Sequence, residues 1–182
     1  RELFRSISIN RFAATTHSEF MEAATKLRSE GMKRLILDLR NNPGGYLDQA
    51  FRLADEFLKG GQKIVYTKGR RPEVDEDYYS SDGGDFENIP LIVMINGGSA
   101  SASEIVSGAV QDLDRGLIVG DVSFGKGLVQ QQYPLPDGSA YRLTISRYYT
   151  PSGRLIQRPY GDKDKYYKGE GREEVEEGEN IE

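Results

Sequence analysis

The sequence predicts an α/β domain in which short buried strands alternate with amphipathic helices. Three observations carry this prediction. Leu35-Ile36-Leu37-Asp38-Leu39 and Leu91-Ile92-Val93-Met94-Ile95 are short, nearly unbroken apolar runs, the mark of strands covered on both faces as in parallel sheets. Stretches beginning at Thr16 and Leu47 place apolar residues at helical spacing. Asp137-Gly138 separates two further strand-like runs and is a hairpin signal. Strand, helix, strand, helix, strand is the order of an α/β fold.

In residues 3–12, Ile7 and Ile9 alternate with Ser6, Ser8 and Asn10, as in a half-buried strand. Thr16-His17-Ser18-Glu19 matches a capping box, and Phe20, Ala23, Ala24 and Leu27 continue a helix until Gly31 stops it. After the first buried strand, Asn41-Asn42-Pro43-Gly44-Gly45 turns the chain. Leu47, Ala50, Phe51, Ala54 and Leu58 then outline a second helix that ends at Gly60-Gly61. Residues 64–66 read as a strand. Residues 67–88 are polar, with Tyr78 and Tyr79 among acids and glycines, and predict a surface loop or lid. The second buried strand runs into Asn96-Gly97-Gly98-Ser99-Ala100-Ser101 and a helix through about Leu113, a layout that puts a loop at the carboxyl edge of a sheet. Residues 117–119 form a third short strand, Gly125-Lys126-Gly127 a break, and residues 129–135 pair with 141–145.

The 182 residues fit one domain, large enough for a core without disulfides or metals. Apolar residues at 37% and 21 glycines suit a globular protein rich in tight turns. No apolar run approaches the roughly 20 residues of a membrane span. A formal charge of −5 without a strongly basic stretch argues against a nucleic-acid surface. Cysteine is absent, which removes disulfides, thiol nucleophiles and Cys-based zinc sites and leaves the compartment open. The chain opens at Arg1 in strand-like sequence without an initiator Met, so it reads as a piece of a larger protein. Its most acidic segment is 170–182.

One histidine, His17, falls inside the capping box, and a solvated helix start is its simplest role. A Ser-His-Asp triad has no other histidine to draw on. An acyl-transfer enzyme therefore needs a different base. Ser101 follows a buried strand through a glycine turn and opens a helix, where N–H groups and the helix dipole can hold an oxyanion. Ser99, Ser101 and Ser103 read equally as helix caps, with Glu104 a first-turn acid. Neither Gly97-Gly98-Ser99 nor Gly125-Lys126-Gly127 has the ending of a phosphate-binding P-loop. A lysine serves as general base where burial favours its neutral form; Lys126, between two glycines, suits either that role or a plain turn. Gln130 shares its parity, yet four residues of straight strand span about 13 Å. It reaches Lys126 only if the chain bends.

Three ordered motifs go further: Leu37-Asp38-Leu39-Arg40-Asn41-Asn42-Pro43-Gly44-Gly45, then Gly98-Ser99-Ala100-Ser101-Ala102-Ser103-Glu104-Ile105, then Val119-Gly120 with Ser123-Phe124-Gly125-Lys126-Gly127-Leu128-Val129-Gln130. Together they resemble the C-terminal processing peptidases, or tail-specific proteases, of serine peptidase family S41, over roughly residues 7–160. The resemblance implies Ser101 as nucleophile, Lys126 as base 25 residues later, and Gln130 orienting the lysine. It implies oxyanion donors at the N–H of Ala102 and in the Asn-Pro-Gly-Gly turn, at Gly44 in preference to Gly45. It implies a crotonase/ClpP-like fold of repeated ββα units, no metal or cofactor, protein or peptide substrates, and a periplasmic or cell-envelope address. Family members usually carry a PDZ domain that receives the substrate's C-terminus, and none is visible in this sequence. Residues 1–160 are thus expected to be the catalytic core and 161–182 a charged extension. Two other readings of the fold are a non-catalytic module holding a peptide or apolar ligand, and an acyl-CoA enzyme. The Ser/Lys pair disfavours both.

Overall fold

The computed structural model describes residues 4–159, so the extension expected at 161–182 lies outside the described residues. The elements are β1 (Phe4–Ser8), α1 (Thr16–Ser29), β2 (Arg34–Asp38), α2 (Leu47–Asp55), β3 (Lys63–Gly69), a 3-10 turn (Pro72–Val74), β4 (Asp77–Tyr79), β5 (Leu91–Ile95), α3 (Ala102–Asp112), β6 (Leu117–Gly120), β7 (Leu128–Pro134) and β8 (Ala140–Tyr149). β1-β2-β5-β6 is a parallel sheet, and β4-β3-β8-β7 is antiparallel. The fold is mixed α/β, as the alternating pattern predicts.

Leu35 and Leu37 of β2 and Leu91 and Val93 of β5 are buried in one core with Phe20 and Ala24 of α1, Leu53 and Ala54 of α2, and Ile105, Val106 and Ala109 of α3. Ile64, Val65 and Tyr148 of the antiparallel sheet join the same core. Burial alternates along β2 and β5 instead of being continuous. The parallel sheet is therefore fully covered on one face only, and Ile36, Ile92 and Met94 on the other are half-buried. An apolar run cannot distinguish these cases, because half-covered positions tolerate Ile and Met as well.

Residues 67–88 depart from the expected loop. β3 continues to Gly69, and after the 3-10 turn β4 returns to pair with it in antiparallel fashion. Phe86 is 2% exposed and meets Phe20 edge-on at 5.8 Å. Acidic residues around Tyr78 and Tyr79 hid a strand at the edge of the sheet, where one face meets solvent. The first helix also starts differently: Thr15 is the N-cap residue, and its hydroxyl bonds the Glu19 carboxylate at 2.7 Å. Thr16 is buried, with its hydroxyl accepting the Ala13 N–H at 2.8 Å. His17 is half-buried and bonds Glu56 through Nε2 at 2.8 Å, so it ties α1 to the end of α2 and is not solvated.

Candidate active site

β2 and β5 are neighbours in the parallel sheet, so the turns that leave their carboxyl ends lie side by side. Backbone and side-chain bonds fix them together. The Ala100 N–H donates to the Asn42 carbonyl at 2.9 Å, and the Asn41 N–H to Asn96 Oδ1 at 2.9 Å. Asn42 is fully buried; its Nδ2 donates to the Ile9 carbonyl and its Oδ1 accepts the Gly44 N–H at 2.9 Å. Gly44 has φ +96°, and a Cβ there would stand 2.8 Å from both the Ala100 oxygen and the Ser101 Cβ. Only glycine lets the turn approach so closely.

The three serines of the run now separate. Ser99 is fully buried, donating its hydroxyl to the Leu39 carbonyl at 2.8 Å and accepting the Asn96 N–H at 3.0 Å. Ser103, also fully buried, donates to the Asn42 carbonyl at 3.0 Å. Both hydroxyls serve the turns. Ser101 stands at the start of α3 with φ 55° and ψ −111°, outside the favoured regions for an L-residue. A sharp strand-to-helix turn of this kind pushes a serine hydroxyl out of the backbone's shelter. Ser101 lines an open cavity of about 480 Å³ together with Lys126, Gln130, Gly44, Gly45 and Tyr148.

The lysine segment reaches that cavity because it is held from two sides. On one side lies Glu104, 4% exposed in the first turn of α3. Its Oε2 accepts the N–H of Ser101 at 2.7 Å and of Lys126 at 2.8 Å. Its Oε1 accepts the Ser123 hydroxyl at 2.7 Å and the Gly125 N–H. Burial pushes this carboxyl above its ordinary range, and the Ser123 hydroxyl and the three N–H donors pull it back. On the other side runs the segment after β8: the Arg158 N–H donates to the Gly125 carbonyl at 3.1 Å, and Gln157 Oε1 accepts the Gly127 N–H at 3.0 Å. A Cβ on Gly127 would fall 2.5 Å from the Gln157 nitrogen, which explains the glycine after the lysine. A register shift between Val129 and Gln130 bends β7. Gln130 and Lys126 both line the cavity.

The structure thus brings Ser101, Lys126, Gln130 and Gly44 to one cavity, with Ala102 beside them at the first position of α3. The N–H groups of Ala102 and Gly45 have no acceptor among the described residues, whereas that of Gly44 is bonded to Asn42. Sequence reasoning took Glu104 for an ordinary helix-start acid and passed over Tyr148 and Asn42. Glu104 had a readable signal, three residues after a candidate nucleophile at a helix start. Tyr148 had none, being one tyrosine of a pair in a long strand.

The model of peptidase family S41 matches residues 6–165. The chain is 48% identical over 151 residues to the carboxy-terminal-processing protease of Bartonella bacilliformis, covering 80% of this chain and 34% of that protein. It is 41% identical over 145 residues to the carboxyl-terminal-processing protease of a Picosynechococcus species, again covering 80% and 34%. Among solved structures it is similar to a photosystem II D1 C-terminal processing protease, with TM-score 0.77 and 34% identity, covering 85% of this chain and 39% of that one. The chain spans about a third of the length of the curated relatives it matches. With the family model spanning most of its length and relatives at this identity, the chain belongs to peptidase family S41.

Proposed function

We propose that residues 1–160 are the catalytic core of a serine endopeptidase that cuts polypeptides near their C-termini through Ser101 and Lys126. One observation carries the reading: of three serines in the run, the two buried hydroxyls are bonded to main-chain carbonyls, while Ser101 faces the cavity it shares with Lys126. In the reaction, Lys126 accepts the Ser101 hydroxyl proton as Oγ attacks the scissile carbonyl carbon. The C–N bond then breaks, and the leaving amine takes that proton from the lysine. Water, deprotonated by Lys126, attacks the acyl-enzyme ester, and the proton returns to Ser101 Oγ. Gln130 orients the lysine from the bent strand.

The oxyanion is held by the Ala102 N–H and by one N–H of the turn after β2. Gly44 was the expected turn donor; with its N–H given to Asn42, Gly45 is the donor open to a substrate oxygen. The reading invokes no metal or cofactor. A PDZ domain elsewhere in the full polypeptide would receive the substrate's C-terminus, in a periplasmic or cell-envelope setting. A core shared by the three helices and both sheets supports reading the fold as the crotonase/ClpP-like arrangement of ββα units.

A small acyl-transfer probe tests this, since it needs the Ser/Lys pair but no peptide reader. Mapping should find the label on Ser101 of the wild-type chain and none in Lys126→Ala. Label on Ser99 or Ser103, or none on the wild type, would overturn the assignment.

A further inference from the structure

The cavity of Ser101 and Lys126 is lined in part by the segment that leaves β1, through Asn10 and Arg11. Phe12, the next residue, is fully buried and forms a parallel bridge with Gly45. Its N–H donates to the Gly44 carbonyl at 2.9 Å, and its carbonyl accepts the Tyr46 N–H at 2.9 Å. Thr16 Oγ1 donates to the Arg11 carbonyl at 3.3 Å. The main chain of Arg11 is thereby held beside the turn that carries the Gly45 N–H, while its side chain is exposed. Arg28, Arg40 and Arg154 meet Asp85, Asp38 and Asp112, but the Arg11 guanidinium has no hydrogen bond or ion pair among the described residues. Glu19 lines an adjoining cavity that Arg11 also borders, yet its carboxylate takes the Thr15 hydroxyl and forms no ion pair with the arginine. Arg11 and Lys126 are the charged residues in the lining of the Ser101 cavity, and no acid is among them. A lysine acting as base is neutral when substrate arrives. Arg11, protonated at any usable pH, is then the charge that a bound chain meets.

Resting on the Ser/Lys reading of the cavity, we propose that Arg11 is a specificity-determining residue that pairs with the side-chain carboxylate of an aspartate or glutamate within two residues of the scissile bond. No covalent step involves it. The guanidinium fork matches a carboxylate with two parallel N–H donors, whereas a lysine or arginine at the same place meets like charge. A polypeptide's other carboxylate, at its C-terminus, lies this close only when the last residue or two is removed; an endopeptidase cut leaves it farther away.

The test uses internally quenched peptides of one sequence that carry Glu, or its neutral isostere Gln, in turn at each of the two positions on either side of the cut. At low ionic strength the wild-type chain should favour Glu at one of these positions by about fivefold in kcat/KM, the scale of a solvent-exposed ion pair. Arg11→Gln should bring that ratio to about one, and Arg11→Glu should turn the preference at the same position to Lys over Glu. Both variants should melt with the wild type, since the exposed side chain has no partner to lose. Equal use of Glu and Gln at every position, or a ratio that Arg11→Gln leaves unmoved, would overturn the proposal. A preference for free over amidated C-termini in place of one for Glu over Gln, lost in Arg11→Gln, would move the arginine's partner to the terminal carboxylate and overturn it too. Calorimetric binding of the same peptides to Ser101→Ala reads the ratio without turnover. Labelling of Ser101 by the acyl probe decides the Ser/Lys reading separately. A chain that fails to label yet binds Glu peptides through Arg11 sinks that reading and keeps this one.

Discussion

Glu104 and Lys126 are joined through the lysine's own main chain: the buried carboxylate accepts the Lys126 N–H at 2.8 Å, and the same oxygen accepts the Ser101 N–H at 2.7 Å. One atom thereby sets the spacing between the turn that carries Ser101 and the loop that carries Lys126. The two segments are 25 residues apart in sequence, and no strand pairing connects them directly.

Glu104→Gln should therefore cost both stability and rate. An amide offers one acceptor oxygen where four donors converge, and its NH₂ faces N–H groups that cannot accept. Denaturant unfolding should fall by about 2–4 kcal/mol, and kcat should fall at least about tenfold as Lys126 moves away from Ser101. Turnover equal to wild type in a correctly folded variant would show that the loop holds its place without the carboxylate.

Replacing the neighbouring serines should affect folding more than chemistry. Ser99→Ala and Ser103→Ala each leave a buried carbonyl without its hydroxyl donor, a loss of about 1–2 kcal/mol in unfolding free energy. Residual kcat should stay within an order of magnitude of wild type, whereas Ser101→Ala should be inactive with an unchanged melting temperature. Kinetics and thermal melts on the three variants check this; inactivity confined to the Ser99 or Ser103 variant would contradict it.

Lys126→Arg should be as inactive as Lys126→Ala. Arginine keeps the charge but cannot be deprotonated at a usable pH, so it cannot take the Ser101 proton. Single-turnover rates with an activated ester measure this, and substantial turnover by the arginine variant would reduce Lys126 to an electrostatic role.

Asp112, at the end of α3, makes a pH prediction. Burial pushes its carboxyl up, but hydrogen bonds from Ser152, Thr150 and Arg154 outweigh this and leave it below the usual carboxylate range. With the folded value depressed, its stabilisation is present above the unfolded value of about 3.9 and is lost as pH falls through the folded one. Asp112→Asn should lower unfolding free energy by about 2 kcal/mol at pH 6, and the gap from wild type should narrow near pH 3. A gap that stays constant with pH would rule out the charged form as its source.

Much of this was readable from residues alone. Apolar runs gave β2 and β5, and the Asp137-Gly138 turn gave the β7–β8 hairpin because its residues have a local reason to bend. Ser101, Lys126 and Gln130 were singled out by motifs, and the structure brings the three to one cavity. What the sequence hid depends on distant partners. Glu104 looked like any acid in a first helical turn until Gly125 and Lys126 arrived from 21 and 22 residues away. The acidic composition of β4 obscures a strand paired on only one edge. Gly44 was favoured over Gly45 by motif alone, which cannot show that the Asn42 side chain already occupies the Gly44 N–H.

The backbone of Ser101, at φ 55° and ψ −111°, places that residue in conflict with the fold that carries it. An L-residue held there costs of order 1–3 kcal/mol, while glycine would adopt the same angles with little penalty. Against a total stability of about 5–15 kcal/mol for a domain, that is a noticeable sacrifice at a single peptide unit. Drift toward stability alone would put glycine at position 101, so the serine found there fits the nucleophile's role we propose for it, in a chain that would fold more easily without it.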